Sequence, residues 1–475
     1  MKMDEQIVSR VVKEVLARLE KQSTVVASGQ TGFGVYDKME DAVGAARASF
    51  EKLRDAGTEA RKKALGVIRR MSEEKAGEWG PLELDETKIG RLDHKIEKLG
   101  ICGRLVPGVE FLERMAFSGD FGLTIIDFAP WGVIGAVTPS THSIPTLTGN
   151  AINMIAAGNA VVFNTHPSAC NCAAVAIRAY NEGIFRETGI PDLLTTVRKP
   201  TLDTFNTMCA DERVGLLCVT GGPGVVKAAM KTGKRAICAG PGNPPVVVDE
   251  TADLDRAARS IIQGGAYDNN LLCIGEKEVF VVASVADALI AALKRAGAMQ
   301  LTGPQIDSLT KAAFTFPPGQ GAGCPHPQLN KKLVGQGPKF LGQQIGIQVP
   351  DKCDLLFGET DEKHPFVQEE QMMAFIPIVR VKDVDEGIEA AIRAEHGYRH
   401  TAIMHSVHVG RLTKMAQAVD TTLFIKNGPC MTGLGLGGEG FLSFSIATPT
   451  GEGVTTPMTF TRSRRCVMVE NLNLF

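Results

Sequence analysis

The chain has 475 residues, 44% hydrophobic and 22% charged, a composition that suits two or three globular domains with sizeable cores. A formal net charge of −2 gives no electrostatic basis for binding nucleic acid or an anionic membrane surface. No apolar run approaches the roughly 20 residues of a membrane span, no apolar signal core is present at the N-terminus, and 11 cysteines scattered along a long chain fit a reducing cytosol better than a disulfide framework.

Residues 1–21 carry Ile7, Val8, Val11, Val12, Val15, Leu16 and Leu19 at helical spacing, with charged residues filling the other face. This predicts a short amphipathic helix. Residues 22–34, rich in Ser, Thr, Gly and Gln, read as a flexible linker. A tethered amphipathic helix suits docking into a partner's groove; the plainer alternative is a terminal helix packed on its own domain or on a neighbouring subunit. Between 36 and 117 the pattern is mostly helical. Asp37 is placed to cap a helix through Leu53, and further helical patterns cover 58–74, 84–98 and 106–115. Trp79 and Asp85-Glu86-Thr87 read as packing and capping residues rather than ligands.

From 133 onward strands and helices alternate. Strands are expected at 133–137, 160–163, 193–197, 214–219, 235–238 and 246–248, with helices between them, which implies a parallel sheet covered on both faces. Ligands of such sheets bind outside the carboxyl ends of the strands. Three loops there are unusual: Thr138-Pro139-Ser140-Thr141-His142, Asn164-Thr165-His166-Pro167-Ser168 and Thr220-Gly221-Gly222-Pro223-Gly224. The last joins a strand to a helix beginning at Val225, so its amides can approach a phosphate. It lacks the G-x-G-x-x-G spacing of the Rossmann fingerprint and the Lys-Ser/Thr ending of a P-loop. Farther on, Cys273 follows the turn formers Asp268-Asn269-Asn270 and precedes a strand at 279–282. A thiol at the mouth of a strand can serve as a nucleophile towards carbonyl carbon; the bland reading is one inert cysteine among eleven. His396, His400, His405 and His408 crowd one stretch, but Gly397 and the strand that follows argue against a helical zinc pair, and they read as structural.

Several segments together resemble the aldehyde dehydrogenase superfamily. Pro130-Trp131-Gly132-Val133-Ile134-Gly135 with Thr138-Pro139 looks like its first cofactor motif, and Ala157-Gly158-Asn159-Ala160-Val161-Val162 like its second. Val219-Thr220-Gly221-Gly222 resembles its third, and Pro365-Phe366-Val367-Gln368-Glu369-Glu370 its cofactor-ribose motif, while Cys273 falls where the family keeps its nucleophile. The resemblance runs from about 36 to 460 with the motifs in the family's order. It implies an α/β fold: a Rossmann-type cofactor domain at 35–246, with 118–130 in an oligomerisation ribbon; a catalytic domain at 247–430 carrying Cys273; and a return at 431–475 that closes the ribbon. A homodimer or homotetramer is expected.

Departures from the hydrolytic members are informative. Where those enzymes have a Glu-Leu-Gly-Gly-Lys-x-Pro motif whose glutamate activates water, this chain has Ala239-Gly240-Pro241-Gly242-Asn243-Pro244-Pro245. Without that carboxylate, water is not easily deprotonated for attack on an acyl-enzyme, whereas a thiol needs less help. Asn164-Thr165-His166-Pro167-Ser168 is likewise closer to the CoA-acylating branch. Within that branch the chain resembles the aldehyde dehydrogenases of bacterial microcompartments, which implies a shell-docking role for residues 1–21 and a cytoplasmic location inside such a shell. His142 stands where many acetaldehyde-specific relatives have Asn, which looks more like the propionaldehyde type.

The resemblance implies NAD and coenzyme A as cofactors, with Cys273 forming a thiohemiacetal and then an acyl-thioester. The Cys273 N–H and a side chain near 142 would face the oxyanion; the role of His142 itself, catalytic or structural, stays open. The crevice residues implied are Thr138, Pro139, Ser140, Thr141, Asn164, His166, Pro167, Thr220, Gly221, Gly222, Gly224, Val225, Ala239 and Gly240. Glu370, or its neighbour Glu369, would hold the nicotinamide ribose. No metal is implied. The favoured substrate is propionaldehyde. The alternatives are an acetaldehyde- or lactaldehyde-specific acylating enzyme, a hydrolytic aldehyde dehydrogenase, and a shell-associated protein that binds cofactor without catalysis.

Overall fold

The computed structural model describes residues 32–316 and 327–472. The helix expected at 1–21 and nearly all of the linker lie outside these residues.

Helix α1 (Met39–Glu74) is two helical stretches joined at Gly57, whose φ of 75° and ψ of −162° break the turn, so the periods expected before and after 57 are both present. Asp37 does not cap it: Lys38 occupies the N-cap without a side-chain bond, and Asp37 instead pairs with Arg198 at 3.0 Å. The helix expected at 84–98 is corrected to α2 (Ala76–Thr87) and α3 (Leu92–Leu105). The helical period runs across the break, but Lys88 is left-handed and Gly90 has φ 91°. A Cβ at Gly90 would lie 2.3 Å from the Asp268 carboxylate, so only glycine fits there. The helix expected at 106–115 is a single turn, Val109–Phe111. Pro107 holds Val106 in an extended conformation, and Met115 already begins a strand. Trp79 is buried with its ring edge-on to Tyr180 at 5.2 Å, and the Glu86 carboxylate accepts from the Asn171 and Cys172 amides, as packing and capping residues should.

Two parallel sheets form the body. Across the first, the order is Val35–Tyr36, Leu194–Val197, Ala160–Thr165, Val133–Thr138, Val214–Thr220, Ala236–Ala239. Across the second it is Met299–Gln300, Leu356–Glu359, Phe375–Val381, Glu278–Val282, Pro245–Val248, Thr401–His405, Leu423–Lys426. Central strands such as Val133–Thr138 and Glu278–Val282 are buried at every position, which is why they read as unbroken apolar runs rather than alternating ones. In the first sheet the chain moves outward from Val133–Thr138 to one side and returns on the other, so the switch point lies at the end of that strand, where Thr138–His142 emerge. Helix α4 (Ser143–Ala156) follows and is buried along its whole length.

The passage between the sheets places the site. The chain leaves the carboxyl end of Ala236–Ala239 and enters the amino end of Pro245–Val248. Cys273 precedes the amino end of the adjacent strand, Glu278–Val282, and the Lys277 N–H donates to Pro244 O at 3.1 Å. The carboxyl edge of one sheet therefore faces the amino edge of the other across residues 240–244. Outside this body, Met115–Gly119, Gly122–Pro130 and Thr461–Val469 form an antiparallel three-stranded ribbon. It carries exposed Phe117, Phe121, Val467 and Val469. Asn159 anchors its base: the side chain accepts from the Trp131 and Gly132 amides and donates to Met154 O and Phe460 O.

Candidate active site

The approach to Cys273 is a left-handed turn. Asp268, Asn269 and Asn270 have φ of 51°, 55° and 64°. Left-handed backbone is costly for most L-residues and least so for Asp and Asn, which accounts for this composition. Side chains then lock the turn. Asn269 Nδ2 donates to Gly335 O at 2.8 Å and Gly90 O at 3.2 Å, and Asn270 Nδ2 donates to Glu276 O at 2.7 Å. The Lys277 ammonium, fully buried, donates to Asn270 O at 3.1 Å, Leu272 O at 2.9 Å and the Asn270 side chain. Burial lowers its pKa, with Glu370 opposing.

Cys273 is half-buried, and like the other described cysteines it forms no disulfide. Burial, then the Glu370 charge, pushes its thiol up to about 12, while Lys277 and the N–H groups of Cys273 and Ile274 favour the thiolate. Glu370 accepts from the Gly242 N–H, and burial pushes its carboxyl up to about 7 against the pull of Lys277. Gly242 is a point of close approach: a Cβ there would meet Cys273 O at 2.5 Å and the His400 ring at 2.9 Å. His400 is fully buried, with Nδ1 bonded to Thr401 Oγ1 at 2.9 Å and Nε2 without a partner. Burial, with Lys277 adding to it, pulls its pKa down to about 3, so the ring is neutral. His400 belonged to a run of histidines read as structural. Its place beside Gly242 depends on strand Thr401–His405 pairing with Pro245–Val248, which no local pattern announces. Among the described residues, no group of three or more His, Cys, Asp and Glu could hold a metal ion.

The crevice residues gather at the carboxyl edge of the first sheet. The His166 N–H donates to Thr138 O at 3.1 Å, tying two loops together, and the Gly221 N–H donates to Ala239 O at 3.2 Å. Asn164 is used internally, accepting from Thr204 Oγ1 at 2.7 Å and donating to Thr201 O at 3.4 Å. Thr220 Oγ1 bonds Ser445 Oγ at 2.7 Å. At Gly221 a Cβ would come 2.8 Å from Val225, whereas Gly222 and Gly224 border open space and, like His166 and Pro167, are exposed. Thr138 Oγ1 is buried without a partner, while Pro139, Ser140 and Thr141 lead on to His142. Ala239 is a buried methyl at the strand end, and Gly240 lies against Pro449. His142 is buried, its ring 5.4 Å from that of Phe444 and its Nδ1 unpartnered; burial pulls its pKa well down. No hydrogen bond joins His142 to Cys273 among the described residues. A 750 Å3 cavity lined by Lys294, Met299, Pro350, Lys352 and Cys353 lies at the edge of the second sheet and shares no residue with this cluster.

An aldehyde dehydrogenase family model matches residues 21–313. The chain belongs to the aldehyde dehydrogenase family. Among its relatives, the acetaldehyde dehydrogenase (acetylating) EutE of Salmonella typhimurium is 44% identical over 98% of this chain and 99% of its own. The solved structure of the Rhodopseudomonas palustris propionaldehyde dehydrogenase with bound CoA and an acylated cysteine superposes with a TM-score of 0.89, at 43% identity, over 94% of this chain and 100% of that one. A propionaldehyde dehydrogenase from the Clostridium phytofermentans fucose utilisation microcompartment superposes with a TM-score of 0.90, at 41% identity, over 93% of this chain and 100% of that one. The two α/β sheets and the ribbon are thus those of an aldehyde dehydrogenase.

Proposed function

We propose that this aldehyde dehydrogenase is CoA-acylating: it oxidises a short-chain aldehyde with NAD and passes the acyl group to coenzyme A. The observation that carries the reading is a pair of sites. Cys273 stands in a built nucleophile cluster, and the buried methyl of Ala239 ends the strand where hydrolytic relatives carry a water-activating glutamate. The exposed Gly222–Gly224 turn opens a helix, Pro223–Met230, with no acidic residue in its first turn, a donor set that fits a pyrophosphate. Thr138, Ser140, Asn164, His166, Thr220 and Val225 are read as the rest of the crevice lining, and Glu370 as the residue that holds the nicotinamide ribose. When bound there, NAD accepts the hydride released from the substrate carbon.

The chain's own residues carry the remaining chemistry. Cys273 Sγ bonds to the aldehyde carbon as its thiol proton passes to solvent, and the Cys273 N–H is read as facing the resulting oxyanion. Loss of the C–H hydride leaves an acyl-thioester on Cys273. The incoming CoA sulfur then bonds to the acyl carbon, and the Cys273 thiolate departs. The proton of the incoming thiol ends on the departing Cys273 sulfur, carried through solvent, so the transfer between the two thiols is neutral overall. The first sheet thus serves the cofactors and the second carries the nucleophile.

Relatives that act on acetaldehyde and on propionaldehyde stand at similar identity, so the substrate is an aldehyde of two or three carbons; the sequence around His142 favours propionaldehyde. The exposed ribbon is read as a subunit contact of a homodimer or homotetramer. Residues 1–21 are read as the segment that docks on shell proteins of a cytoplasmic microcompartment, an assignment supported by the microcompartment source of one close neighbour. Steady-state NADH formation from acetaldehyde and propionaldehyde, with and without CoA, tests the activity. Turnover should require CoA, and Cys273→Ala should abolish it; steady turnover without CoA would instead mark a hydrolytic enzyme.

A further inference from the structure

Four buried charged side chains play no part in this chemistry. Glu83 on α2, Lys95 and Lys98 on α3, and Asp268 are each 1% exposed or less. Lys95 Nζ donates to Glu83 Oε1 at 2.9 Å, and Lys98 Nζ donates to Asp268 Oδ2. Two positive and two negative groups leave the cluster neutral. Burying such groups costs several kcal/mol per ion before pairing, and well-packed apolar residues often replace them without loss of stability. Stability alone therefore does not explain the cluster, but its outward bonds do.

Each pair holds a different loop of the site. Glu83 Oε2 accepts from the Ile144 N–H at 3.0 Å, in the first turn of α4, and Lys95 Nζ also donates to Thr141 O at 3.3 Å. These two bonds bracket His142. On the other side, Asp268 is the first residue of the left-handed turn that leads to Cys273. Its Oδ1 accepts from the Arg91 N–H at 2.7 Å, and its own N–H donates to His94 Nδ1 at 2.8 Å. Lys95 and Lys98 are three residues apart, hence on one face of α3. Three residues of a rigid helix, about 4.5 Å of rise, therefore separate the anchor of the His142 loop from the anchor of the Cys273 loop.

We propose that Glu83, Lys95, Lys98 and Asp268 are positioning residues, a neutral buried quartet that fixes the spacing between the Cys273 turn and the Thr138–His142 loop. The inference rests on Cys273 being the nucleophile. A misplacement of about 1 Å at a reacting group can cost roughly 100-fold in rate, so the effect belongs in kcat.

The test compares Asp268→Asn, the double variant Asp268→Asn/Lys98→Met, and Glu83→Gln in the full chain. Two readouts apply: kcat per titrated Cys273 thiol with the KM values for NAD and CoA, and the iodoacetamide labelling rate at Cys273, which needs no turnover. The double variant, free of an unpaired buried charge, should unfold at a midpoint no lower than Asp268→Asn. Its kcat should still fall about 30-fold or more, with both KM values within about twofold and labelling changed more than about threefold. A folded double variant with wild-type kcat and labelling would overturn the proposal. If neither Asp268 variant folds, Glu83→Gln and Asp268→Glu decide by the same criteria. Changed labelling in a protein that never forms NADH would reject the proposed activity while upholding the quartet.

Discussion

Replacing Glu370 with glutamine removes one negative charge from beside Cys273 and leaves a side-chain oxygen to accept from the Gly242 N–H. In the wild type the thiol is pushed up to about 12, by burial first and by Glu370 second. At pH 8 such a group is ionised in roughly one molecule in 10,000. A like charge a few Å away shifts a pKa by about one unit or more, so the variant should hold about ten times more thiolate. The sign depends on pH. Glu370 itself titrates near 7, raised by burial. Above that pH the wild type carries the repelling charge and the variant gains; below it the wild-type carboxyl takes up a proton and the two proteins converge. Iodoacetamide labelling without NAD, quantified on the Cys273 peptide because Cys466 is exposed and Cys170 half-buried, should give a variant-to-wild-type rate ratio near 1 at pH 6. By pH 8.5 the ratio should approach about 10. A ratio that is flat with pH, or below 1 at high pH, would refute the electrostatic assignment.

Gly242→Ala should cost about 1–3 kcal/mol in urea unfolding and lower kcat about 100-fold, because its Cβ meets the Cys273 carbonyl at 2.5 Å and the His400 ring at 2.9 Å. Asn159→Ala deprives two amide donors and two carbonyl acceptors of their partner. It should destabilise by about 2–4 kcal/mol in the same assay, while kcat per folded chain stays within about threefold because none of its partners belongs to the Cys273 cluster.

What was legible in the sequence follows from where each signal originates. Strands such as Val133–Thr138 and Glu278–Val282 are sandwiched between helices, so their burial is written locally as consecutive apolar residues. The order of the motifs around Thr138, Thr220 and Cys273 was equally local. Misreadings arose where a distant residue decides. The helical period crosses 88–90, where left-handed Lys88 and Gly90 break it, and the Asp268 carboxylate that crowds Gly90 comes from far along the chain. Glu83, Lys95 and Lys98 look like the ordinary solvated face of a helix until Asp268 and Thr141 arrive from far along the chain. His400 was visible as a histidine but not as a neighbour of Gly242. At 106–115 the deciding signal is local: Pro107 and Gly108 interrupt the helical pattern.

The left-handed turn connects these observations. Three consecutive residues with positive φ form an expensive way to approach a strand, even when they are Asp and Asn. An extended approach would leave the carbonyls of Asn270 and Leu272 pointing elsewhere. The observed turn aims both at the Lys277 ammonium, and that same ammonium favours the Cys273 thiolate. The strain is therefore coupled to the electrostatics of the nucleophile. Asp268 at one end of the turn is held by Lys98, and Lys277 at the other end by the turn's own carbonyls, so positive charge clamps both ends of the segment. Glu370 supplies the opposing charge, and its titration near neutral pH makes it the group that can relax that opposition without moving the backbone.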